Sequence, residues 1–213
     1  MLKGSVLGPM VICGVCFLNS KLDFLSKIGV RDSKKLNPKR RSDLAKILIP
    51  NCHSYKVITV SPREIDQREV KRITLNHLEV LKMADIINSL KPDTIYIDAA
   101  DVNEERFGVS IKKLLKYKPK KIISKHKADD IYPIVSAGSI IAKDRRDSLI
   151  EDLKEDYGDF GSGYPSDART ITFLRKYIQT HKKPPKIARK SWATTKKIIT
   201  NDLKTRKITD FLK

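Results

Sequence analysis

Two aspartates in this sequence follow short runs that have the composition of buried β-strands. Thr94 to Ile97 has high strand propensity and leads directly into Asp98, and a second run, Lys121 to Ser124, is followed closely by Asp129. Open α/β sheets place their chemistry at the carboxyl ends of their strands. Because two adjacent strands ending in carboxylates can supply ligands to one divalent cation, we predict that Asp98 and Asp129 share a metal site.

Asp98 could also have a purely structural role, and the sequence of its own strand does not exclude that role. A carboxylate at the end of a strand can cap the next helix or pair with one of the many lysines. Without such a partner, a carboxylate at the end of a buried strand is costly unless a cation or a proton neutralises it. The second carboxylate, Asp129, follows a second apolar strand, and this pairing of strand ends favours the metal site over capping.

Tyr164 is a third candidate for chemistry. It lies in the glycine-rich stretch 157–167, YGDFGSGYPSD, which is longer and more decorated than a simple connector needs to be. Its ring, flanked by Gly163 and Pro165, either packs on the edge of its own loop or is presented to a sugar or a base.

The charge of the chain indicates a polyanionic partner. Its 213 residues include 44 Lys and Arg against 25 Asp and Glu, for a formal charge of +19. From Lys182 to Lys213 there are 11 basic and 2 acidic residues, which suits either a surface that follows a nucleic-acid backbone or a solvated basic tail. The sequence has no run of about 18 apolar residues, so we expect no membrane span. An anionic membrane surface is the weaker alternative to nucleic acid, because the basic residues are spread over the chain and do not form one face of an amphipathic helix.

The cysteines Cys13, Cys16 and Cys52 are few and odd in number, which predicts a reducing cytoplasm. Cys13 and Cys16 have the spacing of a redox or zinc pair. Residues three apart on a strand face opposite ways and no second pair completes four ligands, so core packing is the better explanation.

The rest of the pattern is that of an α/β protein in which helices follow strands. We predict a strand from Met10 to Phe17, and another from His53 to Val60. Helices are predicted at about 38–48, 73–90 (with His77 on its apolar face), 103–116, 133–153, 169–180 and 191–199. Asn37 is predicted to cap the first of these helices, and Ser61-Pro62-Arg63-Glu64 is predicted to be a capping box with proline at its first turn. The basic loop Arg31 to Leu36, which includes Lys35, either touches phosphates or is a solvated turn.

Three motifs in this order, IDAAD, HKADDIYPIVSAGSIIAKDRRD and YGDFGSGYPSD, resemble ribonuclease HII of the archaeal type. The resemblance runs from Gly4 to about Trp192. It implies a ribonuclease H-like α/β fold, with a mixed sheet of about five strands flanked by helices, and a helical carboxyl-terminal portion. It also implies divalent-metal hydrolysis, with Mg2+ or Mn2+, of the RNA strand of RNA/DNA hybrids, including at single embedded ribonucleotides. The implied ends are a 5′-phosphate and a 3′-hydroxyl.

The resemblance also implies roles for individual residues. Asp98 and Asp129 match two of the family's four metal-binding, catalytic acids, and Tyr164 matches the tyrosine that packs against the sugar beside the ribonucleotide. Lys3 and Gly4 match the end of the segment that reads the 2′-hydroxyl. We add Lys35 as a substrate-binding candidate.

The amino end departs from the family pattern Asp-Glu-Ala-Gly-Arg-Gly. Aligned on Gly4, Lys3 takes the arginine position and Leu2 the first glycine, so the Asp-Glu pair falls before Met1. Two explanations stay open: a misplaced start or a sequence error, or a truncated paralogue that binds hybrids with impaired catalysis. Asp98 and Asp129 alone would hold one hydrated Mg2+ weakly. Binding of the hybrid would then be largely intact, whereas hydrolysis of its RNA strand would be slow.

We expect three regions and a monomer: a catalytic domain at 1–165, a helical portion at 166–200 and a tail at 201–213. The tail is similar to the motif that docks replication proteins onto the sliding clamp PCNA, with Ile208, Phe211 and Leu212 as plugs. Thr205 stands where that motif has glutamine, and a helix end or a disordered tail is the alternative.

Overall fold

A computed structural model of the chain describes residues 4–30 and 36–209, with side chains as far as Asn201. Its secondary-structure elements follow the chain in this order: β1 (Met10–Cys16), a short 3-10 turn (Asn19–Lys21), α1 (Leu22–Lys27), α2 (Pro38–Asn51), β2 (Ser54–Val60), α3 (Pro62–Val70), α4 (Leu75–Leu90), β3 (Thr94–Asp98), α5 (Glu104–Lys112), β4 (Lys121–Lys125), α6 (Ala128–Ile131), α7 (Pro133–Tyr157), α8 (Ala168–His181) and α9 (Ala193–Thr209). The predicted α/β alternation is confirmed.

The described residues divide into two compact units. The first contains residues 11–30, 36–59 and 74–147, and the second contains residues 4–10, 60–73 and 148–209. Each unit has its own buried apolar cluster.

Two strand pairs form the sheet structure of the described residues. β1 pairs with β2, and β3 pairs with β4 in parallel, with Asp98 opposite Lys125. Ile95 and Ile97 alternate with more accessible residues along β3 and pack on apolar residues of α4 and α5 in the core of the first unit. Because these alternate residues anchor β3 in the core, Asp98 has a defined position at the carboxyl end of the strand.

Helix starts were well predicted because capping chemistry is local. The Asn37 side chain accepts from the Arg40 N–H at 2.8 Å, and the Ser61 hydroxyl accepts from the Glu64 N–H at 3.1 Å. The predicted end of α2 near Leu48 was too early, since the helix continues to Asn51 with Pro50 inside it.

The predicted position of His77 on the apolar face of α4 was wrong. His77 is exposed in the first turn, next to the cap that Thr74 forms with its N–H. The residues of α4 that are buried are Leu78, Glu79, Val80, Ala84, Ile86 and Ile87.

The second unit is built around the segment Val6 to Pro9. Leu7 forms an antiparallel bridge with Ala188, and the Arg189 N–H donates to the Val6 carbonyl at 2.9 Å. Val6 and Leu7 pack in one apolar cluster with buried residues of α7, α8 and α9 and of the loop between α7 and α8: Ile150, Phe160, Leu174, Ile178 and Ile198.

Arg189 departs from the expected use of the basic stretch 182–213. It is fully buried, and its guanidinium donates to the carbonyls of Gly8 at 3.1 Å and Pro9 at 3.0 Å. The same group lies over the Trp192 ring, 4.9 Å from its centroid. Arg189 therefore holds the second unit together and is not part of a nucleic-acid surface.

Candidate active site

Asp98 lies at the carboxyl end of β3, as predicted. The parallel pairing with β4 continues one residue past it, where the Ala99 N–H donates to the Lys125 carbonyl at 2.8 Å. The Asp98 side chain accepts from the Ala128 N–H at 3.2 Å. A parallel ladder places both strand ends at one edge, so the Asp98 carboxylate reaches the connection that follows β4.

Asp129 lies in the single turn of α6, directly after Ala128. Its side chain is almost fully buried, at 3% exposure. The Ser136 hydroxyl donates to the Asp129 carbonyl at 2.5 Å, and Lys127 turns the chain into α6 with a left-handed backbone, φ 52°. The structure therefore brings the Asp98 carboxylate to the residue that immediately precedes Asp129.

Glu104 holds the connection between β4 and α6, a role that the sequence patterns did not predict. Its carboxylate accepts from the Lys125 ammonium at 2.6 Å and from the His126 N–H at 2.9 Å. These bonds, that of Lys125 first, lower the pKa of Glu104. The sequence carries no signal for this role, since Glu104 appears only as an acidic residue in the first turn of a helix.

The other acid of the IDAAD motif, Asp101, is used structurally. It accepts from the Asn103 N–H at 3.1 Å and from the Arg106 guanidinium at 2.5 Å. The bond from Asn103 is the main reason that the pKa of Asp101 is lowered. Asp101 thus shapes the turn into α5, whereas Asp98 points toward α6.

The candidate metal ligands at this site are few, but their type fits a hard divalent cation. Asp98 and Asp129 offer carboxylate oxygens, the ligands that Mg2+ and Mn2+ take. Within residues 4–30 and 36–201, no group of three or more His, Cys, Asp or Glu side chains is arranged to hold a metal. Two carboxylates suit one ion that keeps several waters.

Tyr164 lies in the second unit, in a loop whose backbone groups are held by hydrogen bonds. The Gly163 N–H donates to the Thr170 hydroxyl at 3.0 Å, which itself donates to the Phe160 carbonyl at 2.8 Å. The Tyr164 carbonyl accepts from the Asp167 N–H at 3.1 Å. The side chain of Tyr164 is half-buried at this loop.

The Asp167 carboxylate holds the Tyr164 loop in place through hydrogen bonds. Its carboxylate accepts from the N–H groups of Ser162 at 2.8 Å and Arg169 at 3.0 Å. These bonds, with that of Ser162 first, lower the pKa of Asp167 to about 2. Gly161 has φ 76°, and a Cβ there would collide with the same carboxylate, so the loop needs glycine at this point.

Gly4 leads into a segment that lies on the Tyr164 loop. The N–H groups of Val6 and Leu7 both donate to the Gly163 carbonyl, at 2.8 and 3.1 Å. Two of the predicted substrate-binding residues, Gly4 and Tyr164, are therefore held within one unit. Lys3, Lys35, Phe211, Leu212 and the side chain of Ile208 lie outside the described residues.

Comparison with known proteins decides the family. The profile of the family described as Ribonuclease HII matches residues 3–195. This chain belongs to the ribonuclease HII family. Ribonuclease HII proteins are metal-dependent endoribonucleases that act on RNA/DNA hybrids. A ribonuclease HII from Thermococcus sibiricus is 49% identical over 198 residues, which cover 92% of this chain and 87% of the relative.

Solved structures confirm the ribonuclease H-like fold. Ribonuclease H2 from Pyrococcus horikoshii matches with a TM-score of 0.89 and 44% identity, covering 96% of both chains. Ribonuclease HII from Archaeoglobus fulgidus, solved in a complex with PCNA, matches with a TM-score of 0.83 and 39% identity, covering 95% of both. Among the described residues of this ribonuclease HII chain, no helix has the length and apolar character to cross a membrane.

Proposed function

We propose that this chain is an endonuclease that hydrolyses the RNA strand of RNA/DNA hybrids, including at single embedded ribonucleotides. The products are a 5′-phosphate and a 3′-hydroxyl end. The observation that carries the proposal is the hydrogen bond from the Ala128 N–H to the Asp98 carboxylate, since it places Asp98 at the turn that presents Asp129. Family membership supports the substrate class.

Asp98 and Asp129 hold Mg2+ or Mn2+ in this proposal. When bound, the ion activates water and stabilises the charge that develops on the phosphate. Asp98 is oriented by the Ala128 N–H, and the backbone of Asp129 is fixed by the Ser136 hydroxyl. Glu104 and Lys125 keep the intervening turn in place, so the Asp98 carboxylate and the backbone of Asp129 are positioned before substrate arrives.

Substrate binding is assigned to Tyr164 and Gly4 of the second unit and to two lysines, Lys3 and Lys35. Tyr164 packs its ring against the sugar beside the ribonucleotide, and Gly4 lies in the segment that approaches the 2′-hydroxyl. Lys3 and Lys35 contact phosphates. The formal charge of +19 supports binding of a polyanionic duplex. The three free cysteines, few and odd in number, support a location in the reducing cytoplasm.

The tail is proposed to dock onto PCNA through Ile208, Phe211 and Leu212. The complex of PCNA with the Archaeoglobus fulgidus relative supports this partner. Deleting residues 207–213 should abolish PCNA binding in calorimetry while hybrid cleavage without the clamp is retained. An unchanged affinity for PCNA would remove the tail from the interface.

Cleavage of a duplex that carries one ribonucleotide, in the presence of Mn2+, tests the nuclease proposal. We expect the unaltered chain to cut, the Asp98→Asn variant to lose activity, and the Asp101→Asn variant to keep it. Equal cleavage by the unaltered chain and Asp98→Asn contradicts the assignment.

A second candidate function is hybrid binding with impaired catalysis. It is favoured by the limit of two carboxylates, because the described residues include no larger cluster of metal-binding side chains. Tight binding of the duplex in a gel-shift assay, together with no cut by the unaltered chain in Mn2+, would establish this alternative.

A further inference from the structure

The loop between β3 and α5 contains a tip formed by Asp101, Val102 and Asn103. This tip follows Asp98 closely, so it lies at the edge of the β3–β4 pair where the candidate metal ligands lie. Val102 is 94% exposed, the highest value among the exposed large apolar residues in the part of the chain that the structure describes. Single exposed apolar side chains are common on protein surfaces, so exposure alone assigns no role to Val102.

Hydrogen bonds fix the tip on both sides of Val102. The Asp101 carboxylate accepts from the Asn103 N–H at 3.1 Å, and the Asn103 side chain accepts from the Arg106 N–H at 2.8 Å. This side-chain turn and this helix cap set the direction of the backbone before and after Val102. Because the side chain of valine has few rotamers, Val102 loses little conformational entropy when a ligand covers it.

His126 ties the tip to the connection that follows β4. Its Nε2 atom donates to the Val102 carbonyl at 3.1 Å, and its backbone N–H donates to the Glu104 carboxylate at 2.9 Å. Asp129 lies further along the same connection. The backbone of Val102 is therefore held to the segment that carries Asp129 as well as to the strand that carries Asp98.

The charges around the tip suit a phosphate backbone. Asp101 pairs with the Arg106 guanidinium. Glu104 pairs with the Lys125 ammonium at 2.6 Å. These cations neutralise the two acids nearest to the tip in the chain, and Lys127 of the connection after β4 is exposed. An apolar side chain among cations matches a sugar–phosphate backbone, because the sugar carbons are apolar and the phosphates are anionic.

We propose that Val102 is a substrate-contacting residue that packs on the sugar–phosphate backbone of the hybrid, beside the phosphate on which Asp98 and Asp129 act. This contact rests on the proposed endonuclease function and adds an apolar anchor at the metal site. Since hydrogen bonds already fix the tip, the contact forms without reordering the loop. Val102 thus strengthens binding of the hybrid and keeps its backbone in register with the two aspartates.

Binding of a duplex that carries one ribonucleotide tests the contact. Fluorescence anisotropy in EDTA measures the Kd of the full chain while the duplex stays uncut. Val102→Asp places a carboxylate against phosphates, and we expect its Kd to rise about tenfold or more. Val102→Ile keeps an apolar, branched side chain and should bind like the unaltered chain.

Val109→Asp is the matched control, because it makes the same change of charge at an exposed valine of α5. It should leave the Kd nearly unchanged. Both side chains are exposed, so urea denaturation of the two Asp variants should match that of the unaltered chain.

Photocrosslinking detects the contact itself. Val102→p-benzoylphenylalanine should crosslink to the duplex on irradiation, whereas Val109→p-benzoylphenylalanine should not. Crosslinks of equal yield from both positions would contradict a specific contact at the tip.

The binding results separate this contact from the endonuclease proposal. If the unaltered chain and Val102→Asp bind the duplex equally well, the contact at Val102 is wrong and the endonuclease proposal stands. If the unaltered chain does not bind the duplex, both proposals fail. Equal weakening by Val102→Asp and Val109→Asp would show that total charge controls binding, which would also overturn the contact.

Discussion

The Asp98 carboxylate and the Ala128 N–H are joined by a hydrogen bond of 3.2 Å. This contact links the end of β3 to the first residue of α6, one position before Asp129. Two acids that are 31 residues apart in the chain are thereby tied to one edge of the sheet. The position of any ion held by both acids depends on that arrangement and on the contacts that support it.

Replacing Glu104 with Gln should weaken metal binding without touching a metal ligand. The variant removes the charge that pairs with Lys125 and so loosens the turn into α6. Loss of such a supporting contact typically costs on the order of tenfold in metal affinity. Calorimetric titration with Mn2+ measures it. Glu105→Gln, at the exposed neighbouring residue, is the control and should behave like the unaltered chain.

The Tyr164 loop should loosen in acid because of Asp167. Folding lowers the pKa of this carboxyl from 3.8 to about 2, so its contribution to stability is complete above pH 3.8 and is lost as pH falls through about 2. Asp167→Asn should remove that part of the pH dependence. Amide exchange of Ser162 and Gly163 between pH 4 and 2 is the measurement, and Asp152→Asn is the control. A variant that keeps the full acid dependence would show that other groups lock the loop.

Local chemistry made much of this protein predictable from its sequence. β3 and the caps at Asn37 and Ser61 depend on residues close in the chain, and the structure has each of them. The roles of Glu104 and Arg189 were missed, because their partners come from β4 and from the amino-terminal segment. No periodicity or spacing encodes such distant contacts.

Arg189→Met should destabilise the second unit strongly. The substitution leaves the carbonyls of Gly8 and Pro9 without their buried donor, and it removes the charge stacked on Trp192. Losing charged, buried hydrogen bonds of this kind costs about 2–4 kcal/mol. Urea denaturation should show the loss, and Lys190→Met, at an exposed neighbour, should change stability little. If the two variants were equally stable in urea, the buried hydrogen bonds of Arg189 would not stabilise the second unit.

Cys13 should be a poor nucleophile. Burial is the main reason that its pKa is raised to about 12, with a further contribution from Cys52. We expect alkylation by iodoacetamide at pH 8 to modify Cys52 well before Cys13, as followed by mass spectrometry. Rapid modification of Cys13 in the folded chain would contradict its interpretation as a core residue.

The central claim is that Asp98 and Asp129 act on the same ion, and Mn2+ calorimetry of Asp98→Asn, Asp129→Asn and the double variant tests it most directly. Ligands of one ion are strongly coupled, so their effects should not add. We predict that each single variant loses most of the Mn2+ affinity and that the double variant loses little more. Losses that add in the double variant, or unchanged affinity in either single variant, would show that the two aspartates do not share a site.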